Sequence, residues 1–454
     1  MTRARACRIC WIACWIALAS AHAVRADDFG AGASFDPARV DGFVAPHPDA
    51  DWWLSGSIEA SLAAQPGFSA QLSGSNSFPT NDHVAGGAIA TATAGYAITP
   101  YTAIVVSGED AVGHAFDGGK GLGAPADVDL TRGTSGVPYL GSSFVELVAP
   151  LSHAWERAAR DGDHVLRSRP VRRLELRAGK LYAPSWFGDA MPRFLSGALR
   201  GDAAWEFPAD EHAYTLGAIL EYADPHVRVR WGEFLMPNAP RSSSYDFGIG
   251  HAREDIVEID GTACIGRYRG SAHFGSYVNR ADLGDYSEAI AAYLIEEDET
   301  PDVTKYRLPG EIKSGVYGGI DQQLPGDVLV FASIMWADGN EESFGTTETD
   351  HSARFGARWR GELWRRPTDE LGAGVAIGGL ADLHETYLKL GGNSALLGDG
   401  GLHYAREVTS ELYYAAQLVP NVSTSLRFQL IEHPGFDDAR GPIELGMLQA
   451  SAAF

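Results

Sequence analysis

Cysteine is scarce in this chain, with only 4 among 454 residues. Three of them are Cys7, Cys10 and Cys14, and beyond these Cys264 alone remains. A single thiol cannot build an intramolecular disulfide framework or a cysteine-based zinc site. The protein must therefore obtain its stability from another source.

Positive charge and long hydrophobic runs are also limited. Lys+Arg number 36 against 59 Asp+Glu, and the resulting net charge of −23 makes nucleic acid a poor partner. Beyond the N-terminus no segment approaches about 18 uninterrupted apolar residues, which argues against a bundle of membrane-spanning helices. If the protein lies in a membrane, it crosses that membrane with strands.

The N-terminus has the pattern of an export signal. Three arginines within residues 1–8 precede an almost wholly apolar stretch at 9–19, and small residues follow. This order predicts a cleavable signal peptide at 1–26, with cleavage after Ala23 or Ala26. A membrane anchor is the weaker alternative, because the apolar stretch is shorter than the roughly 20 residues of a spanning helix.

Hydrophobic alternation indicates strands in the rest of the chain. Between 354 and 364, Phe355 and Trp359 share one parity, while Arg354, Arg358 and Arg360 share the other. Similar alternation occurs at 173–178, 227–231 and 426–430. A soluble β-sandwich would show the same period, so alternation alone leaves both architectures open.

The spacing of short turns favours a barrel. Proline-containing turns recur between alternating segments, and two less regular connections near 150–170 and 263–269 complete a series of seven. Longer polar, glycine-rich or acidic loops separate these turns. Seven turns at one end predict an all-β transmembrane antiparallel up-and-down β-barrel of about 16 strands, with short periplasmic turns and long extracellular loops. The five clear turns are Ile98-Thr99-Pro100-Tyr101, Ala223-Asp224-Pro225-His226, Leu324-Pro325-Gly326-Asp327, Arg366-Pro367-Thr368-Asp369 and Val419-Pro420-Asn421-Val422.

Aromatic residues give weaker support. Tyr96, Tyr101, Tyr222 and Trp231 are predicted at strand ends, where barrels carry aromatic girdles. The terminal Phe454 is typical of barrels that the outer-membrane assembly machinery inserts. The predicted organisation is a signal peptide at 1–26, a periplasmic segment at 27–50 and a barrel at 51–454.

Five short motifs follow one another in the C-terminal third. They are Gly315-Val316-Tyr317-Gly318-Gly319-Ile320-Asp321-Gln322-Gln323-Leu324, Trp336-Ala337-Asp338-Gly339-Asn340-Glu341-Glu342, Trp364-Arg365-Arg366-Pro367-Thr368-Asp369, Leu397-Gly398-Asp399-Gly400 and Arg440-Gly441-Pro442. In order and spacing they resemble the carbohydrate-selective porin (OprB) family. Residues 178–195 look like a degraded form of the strand and inward loop of that family. This resemblance implies a sixteen-stranded barrel, usually monomeric, that lets small sugars diffuse across the outer membrane through a narrow polar constriction.

The polar parity of each strand should face the lumen, because charge on the lipid face costs about 2–4 kcal/mol near the bilayer midplane. Such residues offer the hydrogen bonds that sugar hydroxyls need. A ladder of cross-strand ion pairs is the alternative role for each of them. The candidate pore-lining residues are Arg173, Glu175, Arg177, Arg228, Arg230, Arg358, Arg360, Arg427 and Gln429.

The segment from Lys180 to Tyr214 is predicted to connect the fifth and sixth strands. The family resemblance implies that it folds inward and narrows the lumen, and an outward open loop is the alternative. The candidate constriction residues are Trp186, Asp189, Arg193, Arg200 and Trp205.

Signals for an enzyme are thin. Acid pairs such as Glu296-Glu297 are more often solvated loop charge than acid/base partners, and no catalytic residue, cofactor or metal site is predicted. Expected partners are permeating sugars, outer-membrane lipid, lipopolysaccharide that cations bridge to acidic loops, and the barrel-assembly machinery. A general or anion-tuned porin and, from another class, a secreted all-β carbohydrate-active enzyme or lectin remain the rival interpretations.

Overall fold

The structure is a computed structural model that describes residues 43–44, 50–114, 116–131, 136–157, 166, 168–188, 191, 193–201, 206–210 and 212–453. The predicted signal peptide at 1–26, the two candidate residues Asp189 and Trp205, and Phe454 lie outside the described residues. Within the described part, no helix is long and apolar enough to cross a membrane.

Most of the described strands form one large antiparallel sheet. It holds 17 strand segments, of which Phe43–Val44 is a two-residue addition, and the remaining sixteen form the barrel. In chain order these are β1 (Trp52–Gln65), β2 (His83–Thr99), β3 (Thr102–His114), β4 (Tyr139–Pro150), β5 (Arg173–Leu181), β6 (Thr215–Ala223), β7 (Val227–Leu235), β8 (Arg253–Ile265), β9 (Tyr268–Gly284), β10 (Arg307–Leu324), β11 (Val328–Ala337), β12 (His351–Gly361), β13 (Arg366–Gly379), β14 (Val408–Val419), β15 (Val422–Glu432) and β16 (Ile443–Ala453).

The barrel closes by pairing its last strand with its first. Gly446 of β16 lies opposite Ala64 of β1, and the register continues to the pair of Ala453 and Ser57. Closure satisfies the backbone hydrogen bonds of both edge strands, which a lipid environment requires. The prediction of a sixteen-stranded up-and-down barrel is confirmed, and the soluble sandwich is wrong.

Side chains alternate between lipid and lumen. On β15, Leu426 and Phe428 point outward and are 65% and 47% exposed, while Arg427 and Gln429 point inward and are buried. Apolar side chains on the outer surface match the hydrocarbon of a bilayer, and polar side chains inside have hydrogen-bond partners. The alternation that favoured strands therefore also assigns the two faces.

All seven connections of the predicted series lie at one end of the barrel, and all but the β4–β5 connection (residues 151–172) are short. One of them is displaced from its predicted position. Arg366 already pairs with Gly361, so the reversal lies at Glu362–Trp364 and Arg365, whose φ is 61°. The residue before a proline disfavours helical backbone, and so Arg366 extends into β13 together with Pro367. The connection from β4 to β5 contains a small hairpin, Trp155–Arg157 with Ser168–Pro170.

The aromatic positions agree only in part with a girdle. Tyr96, Tyr101 and Tyr222 lie within a few residues of the periplasmic turns. Trp231 lies in the middle of β7, although its side chain is exposed on the outer face.

In the described parts of the long connections there are three short α-helices. These are α1 (Gly197–Arg200), α2 (Tyr286–Leu294) and α3 (Asp382–Lys389). Asp285 caps α2 by accepting hydrogen bonds from the amides of Ser287 and Glu288. Helices α2 and α3 pack against each other over the extracellular side through a buried apolar cluster.

Glycines on neighbouring strands make room for large inward side chains. Tyr413 lies directly opposite Gly372, where an added Cβ would come within 2.3 Å of its ring. Tyr317 covers Gly275 in the same way, at 2.2 Å. The rings therefore lie flat against the wall and leave room for the loops inside the lumen.

Candidate functional site

The connection between β5 and β6 folds into the lumen, where Glu411 of β14 holds it. The Glu411 carboxylate accepts hydrogen bonds from the backbone amides of Leu195 and Ser196, at 3.1 and 3.0 Å. Arg427 and Gln429 donate to the same carboxylate at 3.1 and 2.9 Å. Four donors converge on one buried carboxylate, so this connection is fixed to the wall by charge-assisted hydrogen bonds.

Apolar packing supports the same loop, which we call the inward loop (residues 182–214). Phe194 is fully buried, with its ring centroid 5.1 Å from Tyr413 and 5.7 Å from Phe331. The Leu199 carbonyl accepts a hydrogen bond from Arg354 of β12 at 2.6 Å. Fully burying one large apolar side chain contributes roughly 1.5–3 kcal/mol, so Phe194 alone is a strong contact between this loop and the wall.

A second loop, from the β3–β4 connection, joins the inward loop inside the barrel. Gly197 donates to the Pro125 carbonyl at 2.8 Å, and Val128 donates to the Leu195 carbonyl at 3.1 Å. Arg200 pairs with Asp129 of the second loop at 2.9 Å. The lumen is therefore narrowed by two loops that hold each other, which the sequence did not suggest.

A narrow polar chamber lies beneath these loops, among the inward side chains of β1 and β14–β16. Its volume is about 440 Å³, including the open solvent at its mouth. The lining combines three guanidinium groups with two carboxylates and several hydroxyls. The lining residues are Glu59, Asp129, Arg193, Arg200, Ala415, Ser423, Thr424, Ser425, Arg427, Gln449 and Ser451.

Four candidate pore residues form an ion-pair ladder in the wall from β4 to β8. Arg173 pairs with Glu175 at 2.9 Å, and Arg177 pairs with Glu175 and also with Glu146 at 3.2 Å. Arg230 donates to Glu221 on β6 and to Glu258 on β8, both at 2.6 Å. These groups are buried and face inward, and the arginines pair with carboxylates of the same wall.

The remaining candidate pore residues occupy different positions. Arg228, whose side chain is 47% exposed, lines the periplasmic mouth beside Asp260. Arg358 and Arg360 line a second mouth cavity, and Arg358 makes a bidentate pair with Glu370 at 2.9 and 3.0 Å. Gln429 donates to the Ala126 carbonyl of the second loop at 3.0 Å.

The described constriction candidates divide between wall and chamber. Trp186 is only 7% exposed, and the Arg177 guanidinium lies 3.9 Å from its ring centroid, so its face is already covered. Arg193 and Arg200 both line the chamber. The Arg193 carbonyl also accepts a hydrogen bond from Arg427, which binds the inward loop to β15.

The sequence patterns did not identify several residues of the site. Glu59, Asp129 and Glu411 belong to the chamber or hold the inward loop, and none of them stands in a motif. The alternation of the strand could have indicated Glu411, because it lies at an inward-facing position of β14, as Tyr413 does. That signal identifies the face of a strand, but it does not identify the loop that the residue contacts.

A buried charged cluster connects the inward loop to the extracellular loops. Lys313 lies 3.2 Å from Glu206 of the inward loop and 3.3 Å from Asp350 of the β11–β12 loop. Asp350 in turn contacts His384 of α3 at 2.9 Å, and the imidazole stacks on Tyr286. One network thus joins three long connections and the inward loop.

The protonation of His384 depends on this network. Burial alone would lower its pKa, but Asp350 and Glu348 raise the pKa to about 9. Burial also acts on Asp350 and raises the pKa of its carboxyl group. Lys313 and His384 outweigh this effect and hold that pKa below its usual value. At neutral pH, His384 is therefore a cation between two carboxylates.

The charged His384 should stabilise the outer loops in a pH-dependent manner. A raised histidine pKa contributes stability that is complete below pH 6.5 and is lost as pH rises through about 9. We expect His384→Gln to cost on the order of 2 kcal/mol at pH 6 and little at pH 10. Urea unfolding of both proteins in lipid vesicles measures this difference. His153→Gln, an exposed substitution at the turn end, should show no such pH dependence, and a constant cost for His384→Gln would contradict the expectation.

Comparisons with known proteins agree with this architecture. The model of the family described as carbohydrate-selective porin, OprB family, matches residues 171–454. The high-pH structure of Pseudomonas putida OprB is similar, with a TM-score of 0.68 at 14% identity over 89% of this chain and 94% of that chain. The outer membrane channel DcaP of Acinetobacter baumannii gives a TM-score of 0.51 at 8% identity, over 89% and 97%. No curated protein sequence matches the chain significantly. At these identities the two structures show the shared fold.

Proposed function

Because the chain belongs to the carbohydrate-selective porin (OprB) family, whose model matches residues 171–454, we propose that small sugars cross it through the arginine-lined chamber. The protein is an outer-membrane channel for passive diffusion and not an enzyme. The finer proposal concerns the route, which passes Arg193, Arg200 and Arg427.

The pairing of donors and acceptors around the chamber carries this proposal. Arg200 borders the chamber with a planar fork of N–H groups, while Asp129 and Glu59 border it with carboxylate oxygens. Arg427 borders it too, although its guanidinium already donates to Ser425, Glu411 and Gln449. Each sugar hydroxyl both donates and accepts a hydrogen bond, so a surface with both kinds of group suits it. Permeation requires each contact to be weak enough for release, and sites open to water on one side meet that condition.

Replacing Arg193 and Arg200 together by alanine should raise ion conductance and weaken the block of that conductance by sugars. The loss of two charged donors, worth about 1.5–3 kcal/mol for each hydrogen bond, predicts at least tenfold weaker block. Planar-bilayer recordings with a panel of mono- and oligosaccharides, together with liposome swelling, measure both quantities. Arg200→Ala alone is informative as well, because Arg200 packs less tightly than the buried Arg193.

Arg406→Ala is the matched control, because this arginine is exposed in the β13–β14 loop. It should leave both conductance and sugar block unchanged. Unchanged behaviour of the double variant would remove the proposed route. Three guanidiniums against two carboxylates also favour anions, so a reversal potential that changes strongly with Arg200→Ala, without any sugar block, would support the anion-tuned porin instead.

The partners of the channel follow from its surface. We propose that one chain forms a complete channel, since β16 closes directly onto β1. Outer-membrane lipid would cover the apolar outer face, the barrel-assembly machinery would insert the chain, and cations would bridge the acidic outer loops to lipopolysaccharide. A folded barrel that migrates as a single chain before boiling and shifts after boiling would support this assignment.

The N-terminal organisation also remains a proposal. Residues 1–26 would be removed on export, and 27–50 would stay on the periplasmic side. Supporting this, Phe43 and Val44 pair with Ser55 and Leu54 near the turn end of β1. N-terminal sequencing of the mature protein would distinguish cleavage after Ala23 from cleavage after Ala26.

A further inference from the structure

Two extracellular loops lie side by side at the end of the barrel opposite the short turns. These are the β13–β14 loop (residues 380–407) and the β15–β16 loop (residues 433–442). Tyr404 forms an antiparallel bridge with Asp437. On either side of it, Asp438 donates to the His403 carbonyl and Ala405 donates to the Phe436 carbonyl, both at 2.9 Å. The backbones of the two loops are therefore held in fixed register.

This register brings three metal-binding side chains together. One ligand atom each from His403, Asp437 and Asp438 lies within 4.8 Å of the others. The His403 Nδ1 atom is 3.8 Å from Asp437 Oδ1. His403 is separated from the two aspartates by more than 30 residues of sequence, so the group does not form a recognisable spacing motif.

The Asp437 carboxylate provides an independent sign that a cation belongs here. Asp437 is 1% exposed, and its Oδ2 atom has no hydrogen-bond partner among the described residues. Among the described residues, its Oδ1 atom accepts one hydrogen bond, from the Ala439 amide at 2.9 Å. A buried polar atom without a partner costs about 1–3 kcal/mol, and more when it is charged.

The arginine nearest to Asp437 in sequence, Arg440, makes its ion pair with another carboxylate. Arg440 pairs with Asp399 at 3.1 Å and donates to the carbonyls of Leu72 and Phe78. The positive charge adjacent in sequence is thus committed to other groups. A bound cation would satisfy Asp437 directly.

We propose that His403, Asp437 and Asp438 bind one divalent transition-metal ion of the zinc class. Zinc ligands at about 2.0–2.2 Å place neighbouring donor atoms roughly 3.3 Å apart, so the observed 3.8 Å requires only a small movement. His403 and Asp438 are exposed and free to make that movement, while Asp437 is fixed. An imidazole ligand favours zinc, nickel or copper over calcium and magnesium.

Three protein ligands leave one coordination position for water or a solute. The ion would join the β13–β14 loop to the β15–β16 loop at the extracellular mouth. This role is independent of sugar permeation, and neither proposal depends on the other.

The test uses the full mature chain, purified without a histidine tag in detergent micelles. Isothermal titration with zinc chloride should show one ion bound per chain, and Co²⁺ should give the visible absorption of a tetrahedral site. His403→Ala and Asp438→Asn should each weaken zinc binding at least tenfold, since even the partners behind metal ligands cost 10–100-fold when removed. Both side chains are exposed, and the gel shift on boiling verifies that each variant is folded.

Two histidine variants serve as controls. His153→Ala removes an exposed histidine at the turn end and should change nothing. His251→Ala removes a histidine from the second possible group, Asp246, His251 and Asp282, in which His251 is already bonded to Asp246 at 3.2 Å. Loss of the bound zinc in His251→Ala but not in His403→Ala would overturn the proposal, as would wild-type binding no tighter than that of His403→Ala.

Discussion

Replacing Glu411 by glutamine is expected to release the inward loop and widen the pore. All four groups around this carboxylate are donors, namely the amides of Leu195 and Ser196 and the side chains of Arg427 and Gln429. A glutamine at this position would place its own NH₂ donor against some of these donors, where no hydrogen bond can form. The Arg427 guanidinium would also lose its negatively charged partner. Hydrogen bonds to charged groups contribute about 1.5–3 kcal/mol each, so the loop loses several kcal/mol of attachment.

Single-channel recording in planar bilayers measures this effect. We expect a severalfold rise in conductance, with frequent transitions between levels as the loop leaves and returns. Glu432→Gln is the matched control, because Glu432 is exposed at the extracellular end of the neighbouring strand. A conductance equal to that of the wild type, in a variant that still shifts on boiling, would show that the other contacts of the inward loop hold it without the charge of Glu411.

The barrel was predictable because its determinants are local. A period of two and the turn residues between alternating segments each depend on a few neighbouring positions. On β15 the two faces can be read from the sequence alone, because apolar Leu426 and Phe428 alternate with polar Arg427 and Gln429. The identity of the partner strands is not needed. The displaced turn before Arg366 shows the limit, since a proline within a few residues of a reversal marks a turn only approximately.

The functional site was less predictable because its contacts are remote in sequence. Glu411 meets Leu195 across 216 positions, and Gln429 meets Ala126 across 303. No periodic pattern contains such pairs. They follow from the order of strands around the closed barrel and from the path of two loops inside it.

The inward charges divide into two groups with different roles. From β4 to β8 the ladder is close to self-neutralising, since Arg177 meets two carboxylates and Arg230 meets three. Around the chamber, guanidiniums also pair with carboxylates, as Arg200 does with Asp129, but these groups border a shared open space. Both groups share the same sequence signal, and only the three-dimensional structure separates an arginine enclosed in the wall from one that borders the chamber.

Replacing Lys313 by methionine should produce the largest loss of stability of any single substitution in the loop network. Its ammonium group is 1% exposed and lies 3.2 Å from Glu206, 3.3 Å from Asp350 and 2.9 Å from the Ser343 hydroxyl. Removing one partner of a buried ion pair costs about 3–5 kcal/mol, because the other charge stays buried. Burial already raises the pKa of Glu206, and Lys313 and the Phe344 amide lower it, so the substitution removes the larger of the two lowering effects.

The sign of the pH dependence follows from Glu206. Without Lys313 its carboxyl takes up a proton more readily, so the loss of stability should be smaller at pH 5 than at pH 8. Adding Glu206→Gln removes the buried charge and should recover about 1–3 kcal/mol as a coupling energy. Urea unfolding in lipid vesicles measures each variant, and Lys389→Met, which breaks an exposed pair with Glu385 on α3, should cost less than about 0.5 kcal/mol. If Lys313→Met is equally mild, or if Glu206→Gln adds to its loss, the network does not hold the inward loop to the extracellular loops.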